Sequence, residues 1–123
     1  MTADAIFNRV IALCFSESSD KSDMREQFIA VLGLCLDELL VKENGMRDIR
    51  GLEKLNRAPE ISSLDVVIDY QPEILSFLPY GIAGVLYMED EPGIATQYKN
   101  KYESERSALV LTQFVDVEDV YGN

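Results

Sequence analysis

Apolar residues along this chain recur mostly at helical spacing, in four stretches separated by polar or turn-rich runs. Ile6, Val10, Leu13 and Cys14 share one face, which predicts a first helix over about 2–17 with Thr2 as its N-cap. The polar run SESSDKSD closes it. Phe28, Val31, Leu32, Cys35, Leu39 and Leu40 predict a second helix over about 23–43. Asp23 and Glu26 resemble a capping box with Asp in the Ser/Thr place, and Asn44-Gly45 is a candidate left-handed stop. A third helix is predicted over about 72–88, with Pro72 in its first turn, and a fourth over about 92–111. In the fourth, Ile94, Tyr98, Tyr102 and Leu109 lie close to one face.

The third helix poses the sharpest physical question. Residues 74–88 carry no charge, yet they include Pro79, Gly81 and Gly84. An interior proline costs about 3 kcal/mol and a glycine about 1 kcal/mol relative to alanine. Pro79 removes the bond that an N–H would make to the Leu75 carbonyl. Gly81 and Gly84, three apart, fall on one side and let another backbone come close. Leu75, Leu78, Ile82 and Leu86 form one apolar ridge, with a second beside it, so this helix is expected to be buried on most sides, inside a bundle or an assembly.

Two segments lack helical periodicity. Residues 46–70 contain Gly51, Pro59 and the partly alternating EISSLDVVI, which predicts an extended arm or small β-hairpin. That arm holds Arg47, Arg50, Lys54 and Arg57, set against Asp48 and Glu53. The four basic residues read either as a solvated or salt-bridging surface between subunits, or as a contact with an acidic partner or DNA phosphate. The end, TQFVDVEDVYGN, alternates Phe114, Val115, Val117, Val120 and Tyr121 with acids. It is expected to be extended, either as a disordered acidic terminus or as a strand added to a partner's sheet.

Composition narrows the function. Hydrophobic content of 47% over 123 residues suits one globular domain, here 1–111 with a tail at 112–123. The formal charge is −11, from 22 acidic and 11 basic residues, which disfavours free binding to nucleic acid. With no histidine, Ser-His-Asp and Cys-His devices and the commonest metal ligand are excluded. Cys14 and Cys35 sit in apolar runs and read as small buried hydrophobes. Nucleotide-binding glycine motifs and CxxC are absent, so no enzyme activity, cofactor or metal is expected. The first helix has no basic residues ahead of it, so it reads as part of the mature domain rather than a leader, in a cytoplasmic protein. No apolar run is long enough to span a membrane.

The run EILSFLPYGIAGVLYMEDEPGIATQYKNKYESERSAL resembles the second half of the head–tail connector, or adaptor, proteins of tailed bacteriophages. The shared pattern is an apolar helix with a central PYGIA, an acidic turn EDEPG, and then Ala95, Tyr98 and Tyr102 along the next helix. This resemblance implies a structural protein of the virion neck, assembled in the host bacterial cytoplasm. It implies a homo-oligomeric ring, usually of twelve copies, on the portal protein. The ring would extend the channel for double-stranded DNA and offer a platform to the next neck or tail component. It also implies that the C-terminal arm, with Phe114, Val115, Val117, Val120 and Tyr121, docks into the portal. Arg47, Arg50, Lys54 and Arg57 become candidates for contact with a neighbouring subunit, the portal or the channel. Two alternatives stand beside it: a small acidic protein-binding regulator of the inhibitor or antitoxin type, and a tail-completion protein.

Overall fold

The computed structural model describes the backbone of residues 1–14 and 21–121, and the side chains of 1–14 and 24–109. Within these residues it contains four helices: α1 (Ala3–Cys14), α2 (Lys21–Ile49), α3 (Pro72–Leu86) and α4 (Pro92–Tyr121). The fold is mainly α, as the apolar periodicity predicts. α3 is the hub: α1, α2 and α4 all pack on it.

Each boundary has a local cause. Thr2 caps α1 as expected, its Oγ1 accepting from Ala5 N–H at 3.1 Å. The next two free donors of that helix are met by the segment before α3. Ala3 N–H donates to the Val66 carbonyl and Asp4 N–H to the Leu64 carbonyl, both at 2.9 Å. At its other end, the Leu13 carbonyl accepts from the Tyr98 hydroxyl at 2.7 Å, and the Cys14 carbonyl from the Tyr87 hydroxyl. Both ends of α1 thus hand their unsatisfied backbone groups to other elements. The expected extension of the first helix past Cys14 lies outside the described residues.

Two expectations are corrected. α2 does not stop at Asn44-Gly45 but runs to Ile49. Its end is a Schellman closure: Gly51 has φ +71°, its N–H bonds the Asp48 carbonyl at 3.2 Å, and Leu52 N–H bonds the Arg47 carbonyl at 2.7 Å. Asn44 is used sideways instead, exchanging two hydrogen bonds with the backbone of Leu55 at 2.8 and 2.9 Å. Nor do residues 46–70 form a β-hairpin. The first four complete α2; the rest form an irregular strap with a single bridge, Thr2 to Val67, among the described residues. The alternation in EISSLDVVI does bury Ile68 and leave Val67 exposed, but its backbone partner is the start of α1, not a second strand.

α4 also departs from expectation. It continues through Tyr121, so residues 112–121 are helical rather than extended. α3 and α4 run antiparallel, with Gly84 beside Ala95 and Lys99, Gly81 beside Tyr102, and Phe77 against Tyr102 at 5.6 Å between ring centroids. Glu73 and Ser76, in the first turns of α3, share a groove with Ala108 and Leu109. Among the described side chains, this register reaches as far as Leu109. The helix then continues for about 18 Å at 1.5 Å per residue.

The interior breakers of α3 are explained by this packing. The helix runs through Pro79 without interruption, and residues 77–79 and 81–84 are buried. A Cβ at Gly81 would lie 2.6 Å from the Tyr102 ring, and one at Gly84 would lie 3.2 Å from both the Ala95 oxygen and the Lys99 nitrogen. The missing side chains are what let α4 approach. Overpacking a filled site costs about 1–3 kcal/mol, more than the roughly 1 kcal/mol that a better helix former returns. Gly84→Leu is therefore expected to lower stability, by up to about 2 kcal/mol, in urea unfolding. Gly33→Ala, whose Cβ would meet nothing within 4 Å, is expected to raise it by up to about 1 kcal/mol. A raised melting temperature for Gly84→Leu would contradict this packing.

Candidate functional site

One of the four basic residues singled out from the sequence, Arg47, belongs to a buried ion-pair cluster at the junction of α2, the strap and α3. Arg47 is only 7% exposed and Glu43 fully buried. They stand one helical turn apart, and Arg47 Nε donates to Glu43 Oε2 at 2.6 Å. The other guanidinium nitrogens reach the strap at both ends: Nη1 donates to the Glu53 carbonyl at 2.9 Å, and Nη2 to the Asp69 carbonyl. Nη2 also lies 3.4 Å from Asp69 Oδ2. Glu43 Oε1 accepts from Gln71 N–H at 2.7 Å, immediately before α3. Gln71 then starts α3 through its carbonyl, which accepts from Ile74 and Leu75, while Pro72 fills the first position that needs no donor.

Electrostatics follow from that geometry. The hydrogen bond that Arg47 donates to Glu43 is the largest influence on its guanidinium and holds the protonated form even more firmly than usual, against the opposing effect of burial. Next to it, the Tyr70 hydroxyl donates to the Leu36 carbonyl at 2.6 Å, and burial pushes that phenol well above its ordinary range. The cluster is a structural latch. Every buried polar side-chain atom among the described residues has a partner.

Of the four basic candidates, only part remains available for an external contact. Arg47 is enclosed. Arg50 bonds Gln71 at 2.6 Å and Glu73 at 2.9 Å, and this hydrogen bond is the main reason the Glu73 carboxyl is held below the usual carboxylate range. That half-exposed pair contributes stability above the normal glutamate range, and the contribution is lost as pH falls through the depressed pKa. Lys54 lies 3.6 Å from Asp48 with both largely exposed. Arg57 is exposed on the strap, beside Glu60 and Asp69. The run that looks basic in the sequence is largely neutralised in three dimensions by Glu43, Asp48, Asp69 and Glu73. Glu43, Asp69 and Gln71 escaped the sequence reading. The available signal was the Glu43–Arg47 spacing of four, with Glu first, in a stretch read as a helix end.

Of the helix-packing candidates, Gly81 and Gly84 lie against α4, and Pro79 is buried within α3. Phe114, Val115, Val117, Val120 and Tyr121 lie beyond the described side chains; their backbone belongs to α4. A backbone bonded within a helix cannot also pair with a sheet edge, so the strand-addition mode is not the one this conformation offers.

Little other chemistry is available. Cys14 and Cys35 are free and buried, and burial raises each thiol to about 11, so neither is a thiolate at neutral pH. Tyr102 reaches Glu38, which also takes Arg106. Among the described residues, no group of three His, Cys, Asp or Glu side chains is placed to hold a metal, and no helix is long and apolar enough to cross a membrane.

The latch predicts a specific mutational pattern. Removing one member of a buried pair leaves an uncompensated charge and typically costs about 3–5 kcal/mol. Arg47→Met is expected to fall in that range by denaturant unfolding, and Glu43→Leu with Arg47→Met together to recover part of the loss. A single-variant change below about 1 kcal/mol would show that the pair does not hold the strap.

No protein-family profile, curated protein or solved structure gives a significant match to this chain.

Proposed function

We propose that this protein is a structural subunit of a bacteriophage neck, a head–tail connector that assembles as a ring on the portal and lengthens the DNA channel. The observation that carries the reading is where the residues of the resemblance fall. Gly81 and Gly84 on one helix and Ala95, Tyr98 and Tyr102 on the next meet in one closely packed α3–α4 hairpin. The motif is therefore a coherent packing unit in this chain rather than a scatter of letters.

Charge supports the same role. Each copy brings a formal −11, and a ring of acidic subunits around a channel repels the DNA backbone, so the genome passes without adhering. The partners on this reading are the portal protein, further copies of the chain and the next neck or tail component. The end of α4 is the candidate portal contact, as an apolar-acidic helix entering a groove. The exposed members of the basic group, Lys54 and Arg57 above all, are the candidate contacts between subunits or with the portal.

A second reading, an acidic module that binds one protein and forms no ring, has its own support. α3 is covered by its own chain, so it needs no neighbour to bury it. Electron microscopy of the protein mixed with its cognate portal separates the two. A ring-shaped collar on the portal is expected for the connector; a monomer that ignores the portal contradicts it. A chain lacking residues 112–123 is expected to fold and to lose portal attachment. Normal attachment after truncation would refute the role given to the tail.

A further inference from the structure

The strap between α2 and α3 is tied down at both ends and loosely held between them. At the α2 end, Asn44 exchanges two hydrogen bonds with Leu55, and Arg47 holds the Glu53 carbonyl. At the α3 end, the Leu64 and Val66 carbonyls accept from the first donors of α1, and Ile68 N–H donates to the Met1 carbonyl. Ile68 and Tyr70 are buried there, and Arg47 reaches this end too, through the Asp69 carbonyl. Residues 56–62 lie between these anchors and make no hydrogen bond with another described residue. Side-chain packing alone keeps them in place.

That packing is thin. Ala58 and Ile61 are only half-buried against the core, and Asn56, Arg57 and Glu60 are exposed. The segment also stands between two grooves. One, of about 510 Å³, is lined on the α2 side by Ile29, Gly33 and Leu34. The other, of about 300 Å³, is lined by Leu55, Val67 and Tyr70. Arg57, Ala58, Pro59 and Glu60 line both, so this run is the wall that separates them. On the α2 side the first groove is left unfilled, since a Cβ on Gly33 would meet nothing within 4 Å.

We propose that residues 56–62 are a flap that opens as a unit on hinges at Leu55 and Ser63, while the helices and the rest of the strap stay folded. Opening breaks no hydrogen bond between described residues and gives up little apolar contact, so it costs far less than global unfolding. It removes the wall between the grooves and leaves one trough running from Ile29 and Gly33 to Tyr70. The Glu43–Arg47 latch keeps the motion local, because one guanidinium ties the backbone on both sides of the flap, at Glu53 and at Asp69. The flap is independent of the connector reading and of ring formation.

Native-state trypsin digestion of the full-length protein reads the opening at the Arg57–Ala58 bond. Cleavage there is expected to be at least tenfold faster than at Lys42 or Lys99, which lie inside α2 and α4. Its rate is expected to be nearly independent of urea below the unfolding transition, because little surface is exposed on opening. The two fragments are expected to stay together in gel filtration, since α1 and α2 remain packed on α3. Asn44→Ala frees the hinge at Leu55 and is expected to speed cleavage at Arg57 about tenfold while leaving its urea dependence weak. A cleavage rate at Arg57 that rises with urea in parallel with global unfolding overturns the proposal, as does earlier cleavage inside the helices. Unchanged cleavage in Asn44→Ala would overturn it as well, by showing that Leu55 is not a hinge.

Discussion

The close approach of α4 to α3 is the contact on which the other arrangements rest. Two glycines on one side of α3 bring the backbone of α4 within a side chain's thickness. That approach aims three tyrosines: Tyr102 into the core against Phe77, Tyr98 to the last turn of α1, and Tyr87, at the end of α3, to the same place. α1 therefore depends on a hairpin far from it in sequence for its C-terminal hydrogen bonds. A helix whose propensity is weakened by a proline and two glycines becomes the centre of the fold because packing outweighs propensity.

A second constraint acts at the other end of α3. Glu43 and Arg47 place a paired charge where α2, the strap and the start of α3 converge, and each of their hydrogen bonds fixes one of those elements. Buried pairs of this kind add little net stability but are costly to break, which makes them better at specifying an arrangement than at strengthening it. Here the pair also changes the surface. By drawing Arg47 inward and setting Arg50 and Lys54 into local pairs, the fold breaks up the basic run that the sequence suggests.

The four helices were legible because their apolar spacing is set by the same face that becomes buried: Phe28, Leu32, Cys35 and Leu39 on α2 are all core. A close approach of some backbone to α3 was legible from Gly81 and Gly84, since glycine in an apolar helix needs a reason; that the neighbour is α4 was not. The end of α2 was misread because Asn44-Gly45 is only a local preference, and the Glu43–Arg47 pair and buried Met46 outweigh it. The strap was misread because alternation reports which side chains face inward, not whether the backbone's partner is a strand or a helix end. The latch was missed because a charge run in one dimension does not reveal which acids fold against it, and Asp69 is 22 residues from Arg47.

On this account the folded unit is the single chain. Among the apolar side chains that the fold leaves exposed are Val85 and Met88, and Leu34 and Val41 on α2, the last two 68% and 81% exposed. Hydrogen exchange of the isolated protein across a wide dilution series tests this directly. The account predicts that the amides of residues 77–85 are among the slowest to exchange, with protection independent of protein concentration. Protection of α3 that appears only as concentration rises would contradict it, because the central helix would then be buried by neighbours rather than by its own chain.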